Sequence, residues 1–518
     1  MIQGIDGNFY GTTSNGGTGR EDGSVFMITP GGIISTLYPL LYPDTPLVQG
    51  TNGSFYGTLS YGGKPPKGCN FLGCGMVFKF APGAKHLTVL HNFDGSDGNY
   101  PTAGLTEGTD GNFYGTTGEG GQFGGGTIFK IAPAGKLTTL YAFCAEPNCA
   151  DGEGPGAALV QGTDGNFYGT TEIGGSIGYG TVFRITPAGK LTTLHSFDGT
   201  DGGGPLGLLQ GIDGNYYGTT EDGGEGGDSA GTVFKMTPAG TLTTLYSFCS
   251  QPGCTDGQRP LGALIQATDG NFYGTTIGSA ALNPPCPTGC GTVFKLTPDG
   301  ELTTVHTFCA DGTCADGANP FGGLVQGTDG SFYGTTQGGG LAPGTCGSGC
   351  GTVFNLSVGL SPFVQTKTSS GPVGAVVIIL GNNLTGTTAV SFNGTPAAFN
   401  VVSASEITAT VPSGATNGTL TVVTSGVTLT SNGVFRVTPQ IKSFKPKTGP
   451  VGTQVKITGV SLTQTSAVSF GGVAASIFSV NSDTQVTATV PTGALTGPIT
   501  ITTAGGSVAS KANFTVTQ

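Results

Sequence analysis

The chain contains no tryptophan, four methionines and four histidines, and charged residues make up only 9% of it. Each shortage narrows the field. With 19 basic residues against 30 acidic ones, a net charge of −11 and no basic cluster, nucleic acid is excluded as a partner. No apolar run approaches the roughly 18 residues that a membrane-spanning helix requires. No window keeps apolar residues at i, i+3, i+4 and i+7 without glycine intervening, so amphipathic helices are not expected. The first residues, MIQGIDGNFYG, have neither a charged n-region nor an apolar h-region, and no leader peptide is visible.

What is abundant is glycine, with 98 residues, and proline, with 31. Such a share borders on low complexity, but the glycines keep phase with aromatic residues, as a disordered chain would not. DGNFYGTT at Asp6 returns in close variants at Asn52, Asp110, Asp164, Asp213, Asp269 and Asp329. A variable loop follows each copy, then GTVFKITP or a near relative, and in the first six copies a third phrase like LTTLYSF. A period of 46 to 60 residues, repeated seven times, predicts a closed or stacked array.

The fourth copy shows how one unit folds. An apolar run of small residues, 156–165, ends in the turn signal Asp164-Gly165. NFYGTT (166–171), GTVFRITP (180–187) and LTTLHSF (191–197) then read as three more short strands separated by turns. Four-stranded units of this length predict an all-β, seven-bladed β-propeller over residues 1–366, with an open β-solenoid as the alternative. Tyr10, Tyr56, Tyr114, Tyr168, Tyr217, Tyr273 and Tyr333 are equivalent, as are Phe26, Phe78, Phe129, Phe183, Phe234, Phe294 and Phe354. These rings are expected to fill the space between blades. The seventh copy lacks the third phrase, and LSPFVQT (360–366) is expected to replace it as the last strand. Because the first strand of the first blade is short, closure is expected to rely on packing and not on an exchanged strand.

The twelve cysteines fall into six close pairs: Cys69/Cys74, Cys144/Cys149, Cys249/Cys254 and Cys309/Cys314 at CX4C spacing, and Cys286/Cys290 and Cys346/Cys350 at CX3C. Disulfides in so short a loop would contribute about 2 kcal/mol each in the chain-entropy model, and they persist in oxidising compartments. Zinc is the rival reading, but the spacings exceed CX2C and no histidine pair accompanies them. The expectation is an extracytoplasmic protein, secreted or at the cell surface, whose start here would then be truncated or misassigned.

Chemistry is sparse. His91, His195 and His306 share a repeat position with Tyr141 and Tyr246, which reads as a packing site, since a catalytic base needs an orienting partner. His86 stands alone at a turn. Asp94 with Asp97, and Asp198 with Asp201, lie in the connections FDGSDGNYP and FDGTDGGGP and are the candidate ligands for calcium. Asp-Gly is equally a turn signal. In three other connections cysteine replaces the first aspartate, which suggests that both versions pin the connection. The GGxxGxGT loops have no helix behind them and are not phosphate loops. No organic cofactor is expected.

Near Lys367 the composition changes: cysteine disappears and Val, Thr and Ser take over. Two units follow, 367–438 and 439–518, with alternating strands that predict small β-sandwiches.

Two resemblances can be set beside these readings. The phrases of residues 3–366 resemble the Gloeobacter/Verrucomicrobia-type tandem repeats, known as GloVer repeats, a bacterial family of exported proteins that has no catalytic residues to carry over. DGNFYG also looks, locally, like the DGNLW phrase of virginiamycin B lyase propellers. The last two units resemble IPT/TIG domains, which are immunoglobulin-like, through Pro372–Gly374 and Pro450–Gly452, Val390–Phe392 and Val468–Phe470, and Ala409–Pro412 and Ala488–Pro491. They lack the basic surface that a DNA-binding version would need, so the resemblance implies spacers or binding modules.

These observations favour a non-enzymatic surface protein for binding or adhesion, presenting its most variable loops, 60–75, 277–291 and 337–351, to a polysaccharide or a surface protein. The alternatives are an enzyme, a lyase or glycan-active hydrolase with paired carboxylates at the propeller axis, and a structural component of a surface layer or matrix.

Overall fold

The computed structural model describes residues 1–14, 22–41, 43, 45–63, 69, 72–227, 230–278, 290–340, 351–503 and 505–517. Among them there is no α-helix; the elements are β-strands and a few 3-10 turns.

Seven antiparallel sheets follow one another from Ile2 to Leu356, each built from consecutive strands. The fourth is representative. Val160–Gln161 pairs with Phe167–Thr171, which pairs with Thr181–Ile185, which pairs with Leu191–Ser196. The Asp-Gly turn joins the first two strands, as its Asx geometry demands. The outer pair slips by one residue between Val182 and Phe183, and the same bulge recurs in five other sheets. The seventh sheet has three described strands, Val325–Gln326, Phe332–Thr335 and Val353–Leu356.

Side chains join each sheet to the next, and the repeat supplies closely similar ones from boundary to boundary. The phrase's tyrosine stacks on the next copy's residue one position earlier: Tyr10 on Phe55, Tyr56 on Phe113, Tyr114 on Phe167, Tyr168 on Tyr216, Tyr217 on Phe272 and Tyr273 on Phe332. Tyr333 then stacks on Phe9 with centroids 3.9 Å apart, so the contacts run in a cycle. A second set repeats the pattern in hydrogen bonds. The Gln49 amide oxygen accepts from Ile5 N at 2.9 Å, Gln161 from Thr109, Gln266 from Ile212, Gln326 from Thr268, and Gln3 from Thr328 at 3.1 Å. The seven sheets therefore form a propeller-like ring. Among the described residues no strand ladder bridges the first and seventh sheets; packing and side-chain hydrogen bonds join them.

The GTT of the phrase, which the second copy changes to Gly57-Thr58-Leu59, has a recurring use for each residue. The glycine makes room for a phenylalanine of the third strand: a Cβ on Gly169 would sit 2.6 Å from Phe183 Cζ, and one on Gly11 2.6 Å from Phe26 Cζ. The first threonine donates to a carbonyl of the next sheet's inner strand, as Thr58 does to Ala103 O at 2.9 Å and Thr170 to Leu206 O at 2.9 Å. The second meets a hydroxyl of its own third strand, as in Thr117 with Thr127 and Thr171 with Thr181, both at 2.9 Å. The hydroxyls named here are buried, where an unpaired group carries a penalty; Thr219, the first threonine of the fifth copy, is the exception, buried with no partner for its hydroxyl among the described residues.

Residues 360–366 do not complete the seventh sheet as the sequence suggests. Gln365–Thr366 pairs with Val376–Leu380 in the following domain, and Val364 is buried in that domain's core with Ile379, Leu384 and Phe435. Val364 of this segment thus joins the core on the C-terminal side, whereas Leu360 still packs on the repeat side. The compact repeat unit accordingly ends at Ser361.

The C-terminal residues form two sandwiches with matching topology. In the first, the order 365–366, 376–380, 406–410, 399–401 faces the order 395–396, 387–392, 420–424, 427–430 across a core of Val390, Phe392, Ile407, Leu420 and Val422. In the second, the equivalent residues are Val468, Phe470, Val486, Ile499 and Ile501.

Candidate functional site

Strand direction sorts the loops of the ring. The turns between first and second strands, and between third and fourth, leave at one face. The variable loops and the connections between sheets leave at the other, where they touch: Asn99 bridges to Glu119, Glu153 to Ile173, Gln258 to Gly278 and Ala318 to Gly338. The described cysteines all occur in these two loop sets. Cys69–Cys74, Cys144–Cys149, Cys249–Cys254 and Cys309–Cys314 are disulfides, Cys290 is also disulfide-bonded, and no described cysteine is free. Cys286, Cys346 and Cys350 lie outside the described residues, as does most of the three loops expected to meet the ligand.

The aspartates proposed for calcium fold their own turns. The Asp94 carboxylate accepts from Ser96 N at 2.9 Å, Ser96 Oγ at 2.6 Å and Asp97 N at 3.2 Å; Asp97 Oδ1 accepts from Asp94 N. Asp198 and Asp201 repeat this with Thr200. Those bonds from Ser96 and Thr200 hold the Asp94 and Asp198 carboxyls below the usual aspartate range. A cation here would compete with these donors.

The histidines have partners that their spacing alone did not reveal. His91 Nε2 lies 2.6 Å from Asp97 Oδ2, His195 Nε2 2.7 Å from Asp201, and His306 Nε2 3.0 Å from Asp316. Where the repeat has tyrosine, the phenol donates to the same acid, Tyr141 to Asp151 and Tyr246 to Asp256. His and Tyr are therefore interchangeable as donors to a connection aspartate, not merely as apolar fillers. The signal was available: an Asp-Gly stands six or ten residues after each His or Tyr. All five donors are on outer strands, away from the axis.

At the inner edge of the same face lies a different group. In five sheets the backbone is left-handed just before the proline that leads to the inner strand: Tyr100 (φ 59°), Gly154 (66°), Gly204 (58°), Arg259 (53°) and Asn319 (54°). Each of these N–H groups donates to the preceding sheet's variable loop, from Tyr100 to Cys74 O at 3.1 Å through Asn319 to Cys290 O at 2.8 Å. The inner strands then run side by side on small residues, Gly207 against Ala263 and Gly323 against Ala263. Around this mouth, the Tyr100 ring meets Tyr61 edge-on at 5.2 Å, Arg259 pairs with Glu221, and Phe321 is 59% exposed. Glu172 folds back over Gly156, where a Cβ would strike its carboxylate. It is reached by solvent, yet recessed enough that desolvation raises its carboxyl above the ordinary glutamate value.

A family profile described as the Gloeobacter/Verrucomicrobia repeat matches residues 1–230 and 158–395. The chain belongs to that family. Its last two units are IPT/TIG domains, matched at 362–437 and 439–516. No curated protein matches the chain. Among solved structures, it is similar to the surface glycan-binding protein PbSGBP-B of Prevotella bryantii, with 18% identity over 31% of this chain and 40% of that one and a TM-score of 0.22. It is also similar to a putative 6-phosphogluconolactonase of Bacteroides uniformis, with 15% identity over 64% and 88% and a TM-score of 0.43, and to TolB of Acinetobacter baumannii, with 13% identity over 58% and 65% and a TM-score of 0.36. The chain thus spans well under half of the first of these. None of the three likenesses brings a function to this member of the Gloeobacter/Verrucomicrobia repeat family.

The repeat's Asp-Gly turns, at the opposite face, carry its most perturbed acids. Desolvation works against ionisation of Asp110, but hydrogen bonds from Lys130, Asn112 and Tyr114 outweigh it and hold the carboxyl at about 2. Asp213, with Asn215, Lys235 and Tyr217, is held at about 2 in the same way. A carboxyl depressed in the folded state stabilises the fold above its unfolded pKa, near 3.9, and ceases to do so as pH falls through the folded value. The melting temperature of this repeat domain is therefore expected to drop between about pH 4 and pH 2, and Lys130→Met should flatten the drop. Both ion pairs are partly exposed, so each contribution is small. Scanning calorimetry across that range checks it.

Proposed function

We propose that this protein is an extracytoplasmic binding protein whose ligand rests on the loop-bearing face of the ring. One observation carries the reading: the diversified loops, the connections and the described disulfides all gather on that face, whereas the opposite face repeats the same short turns. A scaffold held constant under loops that vary is how rigid folds present binding surfaces. The described disulfides support an oxidising compartment, where such bonds persist, and among the described residues no helix is long and apolar enough to cross a membrane. The IPT/TIG domains serve as spacer or binding modules. A polysaccharide or a surface protein is the partner.

The test uses the full chain, immobilised and exposed to a broad glycan array and to cell-surface extracts. Saturable retention of a glycan or a surface protein is the expected result. Release of new reducing ends or unsaturated products from those glycans would overturn it in favour of an enzyme, for which Glu172, with its raised carboxyl, would be the first residue to examine.

A further inference from the structure

Resting on that reading, we infer that the mouth at the inner edge of the loop-bearing face, rimmed by Tyr61, Tyr100, Glu172, Arg259, Asn319 and Phe321, is a site for a neutral polysaccharide chain. The repeat contains its own control. Five sheets place a left-handed residue at the same junction, and two of them use glycine there, Gly154 and Gly204. Glycine takes that conformation without steric penalty, whereas a tyrosine or an arginine is disfavoured there and an asparagine is tolerated. The fold therefore accepts glycine at this point, yet three copies carry Tyr100, Arg259 and Asn319. Non-glycine residues held in this region gather at ligand clamps and active sites. Here the retained side chains are an aromatic ring, a guanidinium and an amide, three groups with recognition chemistry and no shared packing role.

The neighbouring side chains agree with that choice. Phe321 stands at the inner-strand position that Thr102, Gly156 and Leu261 hold in other sheets, and its ring is 59% exposed at the rim. The edge-on Tyr61–Tyr100 pair offers a second aromatic surface. Between them are acceptors and donors: the Glu172 carboxylate, the Glu221–Arg259 pair and the Asn319 amide. A sugar ring has apolar C–H faces that settle on aromatic rings and hydroxyls that both donate and accept, so a rim alternating rings with carboxylate and amide groups matches it. The sign of the charge narrows the class. Two glutamates against one arginine, on a chain of net charge −11, would repel a polyanion. The lining takes uncharged chains.

The test is titration of the full chain with a soluble β-glucan, a galactomannan and a xylan, with polygalacturonate as the anionic control, followed by affinity electrophoresis and calorimetry. At least one neutral polymer should bind, and polygalacturonate should bind more weakly. Phe321→Ala and Tyr100→Gly should each lower that affinity about tenfold or more. Tyr100→Gly should leave the melting temperature unchanged or raised, which separates lost recognition from lost folding. Undiminished affinity in both variants would overturn this site and leave the binding function standing. Preference for polygalacturonate would overturn the class of ligand. Retention of a surface protein alone, with no neutral polymer bound, would overturn the inference and not the general reading.

Discussion

Replacing Phe9 with alanine is expected to destabilise the repeat domain by about 3–5 kcal/mol, as much as truncating a buried aromatic in a core. Phe9 is near the start of the chain, where a frayed strand would tolerate such a change. Yet it is 1% exposed, because Tyr333 from the far end of the repeat array stacks on it. The matched comparison is Phe167→Ala, which removes the same ring from the Tyr114 stack at an interior boundary. If the cycle of contacts is complete, the two variants lose similar stability. If the first and seventh sheets stand apart, Phe9→Ala costs less than about 1 kcal/mol, as an exposed substitution would. The readout is unusually clean. All 15 tyrosines lie in the repeat domain and the chain has no tryptophan, so tyrosine fluorescence follows that domain alone during denaturation.

Gly169→Ala is the second large effect. The backbone there is an ordinary strand, so alanine brings no conformational strain; the whole penalty is steric. The new methyl would lie 2.6 Å from Phe183 Cζ and 2.7 Å from Leu159 Cδ2, both buried. Overpacking of this kind costs about 1–3 kcal/mol. Phe183→Leu in the same chain should recover part of the loss, and a double-mutant cycle of denaturant midpoints would measure how much. No recovery would mean that the glycine serves something other than that ring.

The strands of the repeat were legible because the period aligns them. In the fourth copy, Asp164-Gly165, NFYGTT, GTVFRITP and LTTLHSF mark a turn and three strands whose observed limits, Phe167–Thr171, Thr181–Ile185 and Leu191–Ser196, fall inside those phrases. The family followed from the same phrases, and the IPT/TIG domains from motifs that recur between two units. What a copy does to its neighbour was not legible. That Thr58 donates to Ala103, or that Gln49 accepts from Ile5, depends on residues some 45 positions away, and a period says only that such a contact, if made once, recurs. The His–Asp pairs were missed for a related reason. Interchange of His with Tyr looks like indifference to chemistry until the shared acceptor is seen. The misassigned strand at 360–366 marks the opposite limit, where the array ends and its pattern no longer informs. The mouth was not legible because Tyr100, Arg259 and Asn319 share a junction whose left-handed backbone the sequence does not announce, and Tyr61, Glu172 and Phe321 reach the same edge from other repeat positions.

The seam between the first and last sheets has a topological consequence. It is made by the same ring contact as the interior boundaries and by the amide hydrogen bond that several of them use, and among the described residues no strand passes across it. The place where the polypeptide begins is then arbitrary as far as the ring is concerned. A chain cut within any inter-sheet connection and rejoined at the old ends would have the same neighbours, which gives this array as many admissible starting points as it has boundaries.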